Sequence, residues 1–480
     1  MIDRYVDIKT LFFLTPLMLL LLFMSAFEFV QAEDIDPIVV DLGEEANGWT
    51  TGSPRAEIAP AFVYIPPDSP DGTEELILAT DDREGLVGYW RKSFEVEGGR
   101  WTTFSVERKL EDVESPRRAA LVIIEWLDAE GRSVRLFPES LEPNEQGPGQ
   151  FVPSAWPPTP ETLEGASSEM ARPEFPRDQT TSAEGWTLVQ DSYLVPENAT
   201  QAVVELQLRW EPHAAARWRN VRWDVMDEAP KRKVRLATIH FRPGGTDEPL
   251  DNIDQFDPLL AEAAAQNADL VVLGEAITMV GHSTPIEDLA EPIPGPSTEA
   301  LGRLAKQHGL YIVAGLTERE EHLVYNVAVL IGPDGELIGK YRKACLPREE
   351  TAKGIMPGDE YPVFDTPLGK IGMMICWDVF FPEVARGLAN NGAEVIALPI
   401  WGGHPALAQA RAIENQCYIV TSTYTGGDQW MRSGVLDPTG QWLATAEEQG
   451  EVVVVEVDLN KRYYNRFLGD FRGRIPHERP

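Results

Sequence analysis

Three residues in the second half of this chain carry the groups needed to attack a carbonyl or nitrile carbon, and each sits just beyond an apolar run. Glu275 follows Leu270-Val271-Val272-Leu273-Gly274, Lys343 follows residues 337–342, and Cys376 follows Gly372-Met373-Met374-Ile375. A sulfur is a strong nucleophile only as thiolate. It therefore needs a base for its proton and a cation or N–H donor for the oxyanion that forms on attack. A carboxylate just off a buried strand is partly desolvated, which moves it toward the range of a working base. No Cys–His pairing offers itself; the nearest histidine in sequence is His404, in Gly402-Gly403-His404-Pro405. The three cysteines, Cys345, Cys376 and Cys417, are an odd and sparse set, so no disulfide framework is expected. Cys345 and Cys417 read as packing thiols, and Arg411 with Glu414 as a structural ion pair or helix-face contacts.

The elements that must position these groups alternate. Strands are expected over residues 234–241, 270–273, 311–315, 325–331, 337–342, 370–375, 395–398, 417–422, 434–436 and 452–457. Helices are expected over 252–266, 298–308, 382–391 and 406–415, from apolar spacing such as Ile253, Phe256, Leu259, Leu260 and Ala263. Gly332-Pro333-Asp334-Gly335 is a hairpin turn. Such alternation implies layered α/β packing, with functional groups gathered where strands end and loops begin.

The order Glu275, Lys343, Cys376 resembles the Glu–Lys–Cys triad of the nitrilase, or carbon–nitrogen hydrolase, superfamily. The strings Val272-Leu273-Gly274-Glu275, Gly339-Lys340-Tyr341-Arg342-Lys343 and Gly372-Met373-Met374-Ile375-Cys376-Trp377-Asp378 with Phe381-Pro382-Glu383 are similar to its three motifs. Tyr325-Asn326, Pro357-Gly358-Asp359, Pro399-Ile400-Trp401 and residues 411–415 fall at further landmarks. One departure is visible: many members carry His two residues after the lysine, and here it is Cys345. The resemblance implies an α-β-β-α sandwich that assembles into four layers, over residues 231–480. It also implies roles: Glu275 as general base, Lys343 with the backbone N–H of Trp377 holding the oxyanion, and Cys376 forming a thioester. A second glutamate would orient the lysine and the substrate. Glu350 is the choice, with Glu349 the alternative. Trp401 and Tyr325 are expected to line the substrate site. No metal or organic cofactor is implied, and a homo-oligomer is. The expected reaction is hydrolysis of a non-peptide C–N bond, with linear amides or carbamoyl compounds favoured over nitriles. The rivals are acyl transfer to an amine by the same triad, and a catalytically silent glycan- or partner-binding protein.

Residues 33–230 read differently. Strand-length segments at 58–65, 75–79, 89–96, 102–106, 119–127, 186–194, 202–210 and 217–225 are separated by turn signals, among them Glu97-Gly98-Gly99 and Asp128-Ala129-Glu130-Gly131. This indicates an antiparallel β-sandwich. Gly185-Trp186, residues 193–199 and residues 216–223 resemble jelly-roll carbohydrate-binding modules of the galactose-binding-like type, with Arg219 and Asn220 in place of the usual acidic pair. The resemblance raises carbohydrate as a ligand. Aromatic rings can stack on sugars, but tryptophan more often fills a sandwich core. Residues 141–185, rich in Pro, Glu, Ser and Thr, read as a long insertion.

At the start, Arg4 and Lys9 precede an apolar run from Leu11 to Phe27, and Val30-Gln31-Ala32 offers small residues where a signal peptidase cuts. Residues 1–32 are thus expected to be a signal peptide, or a retained N-terminal anchor, of a protein exported to the periplasm or outside the cell. The formal net charge is −35. Residues 1–230 hold 19 Lys and Arg against 42 Asp and Glu (−23), and residues 231–480 hold 23 against 35 (−12). An acidic surface of this kind repels phosphate backbones, so no nucleic-acid partner is expected.

Overall fold

The computed structural model describes residues 37–67, 72–136, 149–152, 170–246, 248–425, 430–465 and 469–478. The expected signal segment and most of the Pro-rich insertion lie outside them. The chain divides into two compact units. One gathers described residues up to 229 together with 465 and 469–478; the other gathers 149–152 and 230–464.

In the first unit, period-2 alternation builds two antiparallel sheets. The larger runs Ile38–Val39, Ala61–Ile65, Glu75–Ala79, Ala215–Met226, Trp101–Glu111, Thr187–Leu194, Arg177–Thr181. The smaller runs Glu45–Ala46, Trp49–Gly52, Val87–Glu95, Gln201–Arg209, Ala120–Leu127. Both contribute to one apolar core, in which Leu78, Phe104 and Trp218 from the first sheet meet Trp90, Ile124 and Leu206 from the second. The tryptophans mostly serve that core: Trp49, Trp90, Trp126, Trp186 and Trp218 are buried, and Trp210 is the exposed one among the described residues of this unit. The C-terminal helix Phe471–Glu478 also packs here, with His477 stacked on Phe175 and bonded to the Arg117 carbonyl. The expectation that residues 231–480 form one unit therefore needs a shorter end, because these last residues bury their apolar side against the sandwich.

The second unit holds two six-stranded sheets. The first runs Leu337–Arg342, Leu323–Ile331, Tyr311–Glu320, Leu270–Val272, Lys233–His240, Glu451–Asp458. The second runs Val363–Thr366, Gly369–Met373, Val395–Pro399, Tyr418–Ser422, Gly434–Leu436, Trp442–Thr445. In each, three strands are parallel at the centre and the flanking strands antiparallel. Val272, Val313, Ala328 and Leu330 of one sheet pack against Met373, Ile396, Leu398 and Val420 of the other. The opposite face of the first sheet buries Val271, Ile312, Val327 and Val329 against Leu260, Leu301 and Leu304 of the helices Asp257–Ala265 and Pro296–His308. Helices Pro382–Asn390 and Pro405–Asn415 pack onto the second sheet. The order of layers is α-β-β-α.

Several elements differ from the sequence reading: strand Arg177–Thr181 lies inside the expected insertion, and strands Val363–Thr366 and Trp442–Thr445 were not expected. The helix expected over 252–266 is two, Asp251–Asp254 and Asp257–Ala265. Pro258 lacks an N–H and clashes with a preceding turn, so it can only start a helix. The strand expected to stop at Gly315 continues to Glu320. Its hairpin partner Leu323–Ile331 extends the ladder, and the buried Glu318 is neutralised by Lys340 and Arg342. No helix among the described residues is long and apolar enough to cross a membrane.

Candidate active site

Glu275, Lys343 and Cys376 come from three different strand ends and meet at one end of the packed sheets. Glu275 lies just past Leu270–Val272 and is 4% exposed. Its approach to the neighbouring strand depends on Gly315. A Cβ there would stand 2.6 Å from the Glu275 Cα and the Ala276 N, both backbone atoms that cannot yield. Glu275 Oε1 accepts from Lys343 Nζ at 3.0 Å and from Asn326 Nδ2 at 2.9 Å, and Oε2 accepts from the Trp401 backbone N–H at 2.9 Å. The Glu275 carbonyl takes the Tyr424 hydroxyl at 2.9 Å. The carboxylate is held on both oxygens and at its backbone, which fixes its direction.

Lys343 follows Leu337–Arg342 and is fully buried. Burial alone would favour the neutral amine. The charges of Glu275 and Glu350, joined by the Cys376 sulfur whenever it is ionised, outweigh it and hold the ammonium above the ordinary lysine range. Its second carboxylate partner is Glu350 Oε1, at 2.8 Å. Glu350 sits on the short helix Arg348–Ala352 and also accepts from Asn326 Nδ2 at 3.1 Å. Burial raises its pKa, and Oε2 is buried without a partner among the described residues. Its neighbour Glu349 is exposed. Of the two glutamates considered from sequence, Glu350 is the one that reaches the lysine.

Cys376 opens the turn Cys376–Phe380 with φ of 42°, a left-handed conformation that costs a non-glycine residue energy and throws its side chain off the strand end. The residue keeps some exposure, so a small molecule can reach it. Its Sγ faces the Gly402 carbonyl at 3.7 Å. Burial of the sulfur, and then the Glu275 charge, push the thiol up to about 12, against the opposing pull of Lys343. The resting sulfur is thus protonated at neutral pH and needs a base at the moment of attack.

Asp378 ties the cysteine turn to the lysine loop. It is fully buried and accepts from the Tyr341 hydroxyl, the Ile375 N–H and the Cys345 N–H, each at 2.8 Å. Tyr341 Oη in turn accepts from the Ala344 N–H at 3.0 Å. Residues on both sides of Lys343 are thereby bolted to residues on both sides of Cys376. Burial pushes Asp378 up to about 6 and Cys345 up to about 11.

One expectation is corrected and two residues are added. Tyr325 does not face the site. On Leu323–Ile331 it shares the helix-side face with Val327 and Val329, under the Arg342 guanidinium at 3.9 Å. Strand residues alternate faces, so its neighbour Asn326 is the one that points to Glu275 and Glu350. Asn326 was legible only as the lone amide in an apolar run, and Asp378 only as part of a string. Trp401 contributes its backbone N–H to Glu275, while its ring is 44% exposed and meets Tyr424 edge-on at 5.0 Å. Trp377 stacks on Phe380 at 4.5 Å. Arg411 and Glu414 pair at 2.6 Å, and Cys417 is buried in the core. Among the described residues, no three or more of His, Cys, Asp and Glu converge so as to hold a metal ion.

Residues 235–464 match the carbon–nitrogen hydrolase family model. Omega-amidase NIT2-A of Xenopus laevis is 33% identical over 268 residues, 52% of this chain and 94% of that protein. The chain belongs to the carbon–nitrogen hydrolase family. A nitrilase of Pyrococcus abyssi is 40% identical over 246 residues, covering 48% of this chain and 93% of its own. The crystal structure of Saccharomyces cerevisiae Nit3, a nitrilase-superfamily member, aligns with TM-score 0.43 and 26% identity over 48% of this chain and 93% of that one. As a carbon–nitrogen hydrolase, the protein is an enzyme acting on C–N bonds other than peptide bonds.

Proposed function

We propose that this carbon–nitrogen hydrolase cleaves linear amides through Cys376, with Glu275 as base and Lys343 as the oxyanion cation. The reading rests on one observation: a buried Lys343 lies 3.0 Å from the buried Glu275 carboxylate, and both charges act on the Cys376 thiol. Amidase names among the relatives support the amide over the nitrile.

Glu275 takes the thiol proton as sulfur bonds to the carbonyl carbon. The negative charge moves to the carbonyl oxygen, where Lys343 and the Trp377 backbone N–H stabilise it. Collapse breaks the C–N bond, and the proton on Glu275 leaves with the nitrogen as ammonia or amine. Glu275 then takes a proton from water, whose oxygen attacks the thioester; the carboxylic product departs and the thiol is reprotonated. Glu350 and Asn326 hold Lys343 and Glu275 in register throughout.

The test is ammonia release from amides, carbamoyl amines and nitriles, with added amine in a parallel arm to detect acyl transfer. Cys376→Ala and Glu275→Gln should each lose at least about 10³-fold in kcat. Ammonia production that survives Cys376→Ala removes the mechanism. Export is proposed from the N-terminal segment; N-terminal sequencing of the mature protein beginning at Met1 in the cytoplasm would refute it.

A further inference from the structure

The walls beside the nucleophile are aromatic. Trp377, next in the chain to Cys376, lies over Phe380, a residue 36% exposed. Trp401 and Trp430 are each 44% exposed. Trp430 is set against Gly402: a Cβ on that glycine would stand 1.8 Å from the indole Nε1. The carbonyl of the same Gly402 faces the Cys376 sulfur at 3.7 Å. Trp401, next to Gly402 in the chain, and Trp430, packed against it, thus both adjoin the residue whose carbonyl faces the thiol. Large solvent-facing rings beside a reactive sulfur bury area only when a ligand covers them.

The charges beside the site point the same way. Glu275, Glu350 and Asp378 are carboxylates around the lysine and cysteine, and Lys343 already bonds two of them. A substrate carboxylate near the thiol would face like charge and lose its hydration against indole rings. Arg242 lies within electrostatic reach of Tyr424, which bonds the Glu275 carbonyl.

We infer that the acyl group accepted at Cys376 is apolar and aryl-sized, seated between the Trp377–Phe380 pair and the indoles of Trp401 and Trp430, and that amides with a terminal carboxylate are poor substrates. This rests on the amidase reading above. The test compares kcat/KM for ammonia release by the full-length enzyme from propanamide, 3-phenylpropanamide and succinamate, each beside Cys376→Ala.

The phenyl substrate should exceed propanamide by about 10-fold or more, and succinamate should fall below propanamide. Trp430→Ala should erase most of the phenyl advantage, and Trp430→Phe should restore it. Circular dichroism confirms the fold of both variants. Succinamate equal to or better than 3-phenylpropanamide overturns the inference; if Arg242→Gln abolishes that preference, Arg242 anchors the acyl end instead. An unchanged phenyl-to-propanamide ratio in Trp430→Ala also overturns it. Absence of Cys376-dependent ammonia from all three amides fails the amidase reading itself, a different result from Cys376-dependent turnover with the wrong preference.

Discussion

Replacing Asp378 by Asn changes one atom in a buried site, and the structure says what that atom does. The carboxylate takes Tyr341 Oη and the Ile375 N–H on one oxygen and the Cys345 N–H on the other, all at 2.8 Å. An asparagine offers one acceptor oxygen. With its oxygen toward Tyr341 and Ile375, its NH₂ meets the Cys345 N–H; flipped, it meets the Ile375 N–H. Either way one buried backbone donor is orphaned, at a cost of about 1–3 kcal/mol. Relief of burying a charge offsets part of this, since Asp378 is already pushed up to about 6. The Lys343 loop or the Cys376 turn then drifts, and a misplacement of roughly 1 Å costs on the order of 10²-fold in rate. D378N should therefore lower kcat about 10- to 100-fold with little change in KM. Stability is read by urea titration with thiol labelling of Cys417, which is buried in the same unit. The pH dependence has a definite sign. A carboxyl raised above its ordinary value favours the fold most below about pH 4, and that contribution is lost as pH rises through about 6. The gap between wild type and D378N should thus narrow from pH 4.5 to 7. A variant within about 0.5 kcal/mol, the effect of an ordinary surface substitution, and within twofold in kcat, or a gap that widens with pH, would refute the reasoning.

Other outcomes follow from the same geometry. Gly315→Ala places a Cβ 2.6 Å from backbone at Glu275, so it should destabilise by about 1–3 kcal/mol and lower kcat at least 100-fold, seen by thermal melting and ammonia assay. Asn326→Leu removes the bridge between Glu275 and Glu350 and should lower kcat about 10-fold or more, whereas Tyr325→Leu, on the other face, should leave the ranking of amide substrates unchanged. Iodoacetamide labelling of Cys376 should keep rising with pH from 7 to 9.5 without a plateau, because its thiol is pushed up to about 12; an inflection below pH 8 would contradict this. Held above the usual cysteine value, that thiol favours the fold at neutral pH, and the contribution fades as pH climbs toward 12.

The amino-acid sequence by itself determined the reactive side chains and the layered elements beneath them. Glu275, Lys343 and Cys376 each stand at the end of an apolar run, and a polar reactive group at such a boundary is visible without coordinates. Choosing between neighbours was beyond it. Glu349 and Glu350 have the same chemistry, and only the packing of Arg348–Ala352 turns Glu350 toward the lysine while Glu349 faces solvent. Tyr325 and Asn326 lie on a strand buried on both faces, Val327, Val329 and Ile331 toward helices and Ala328 and Leu330 toward the second sheet. With apolar residues on both sides, alternation leaves no mark on the sequence, so the face that looks into the site is decided by which layer covers it. The Asp378 bonds and the placement of residues 469–478 on the sandwich have the same origin: they join segments far apart in the chain, and such contacts exist only once the layers have closed.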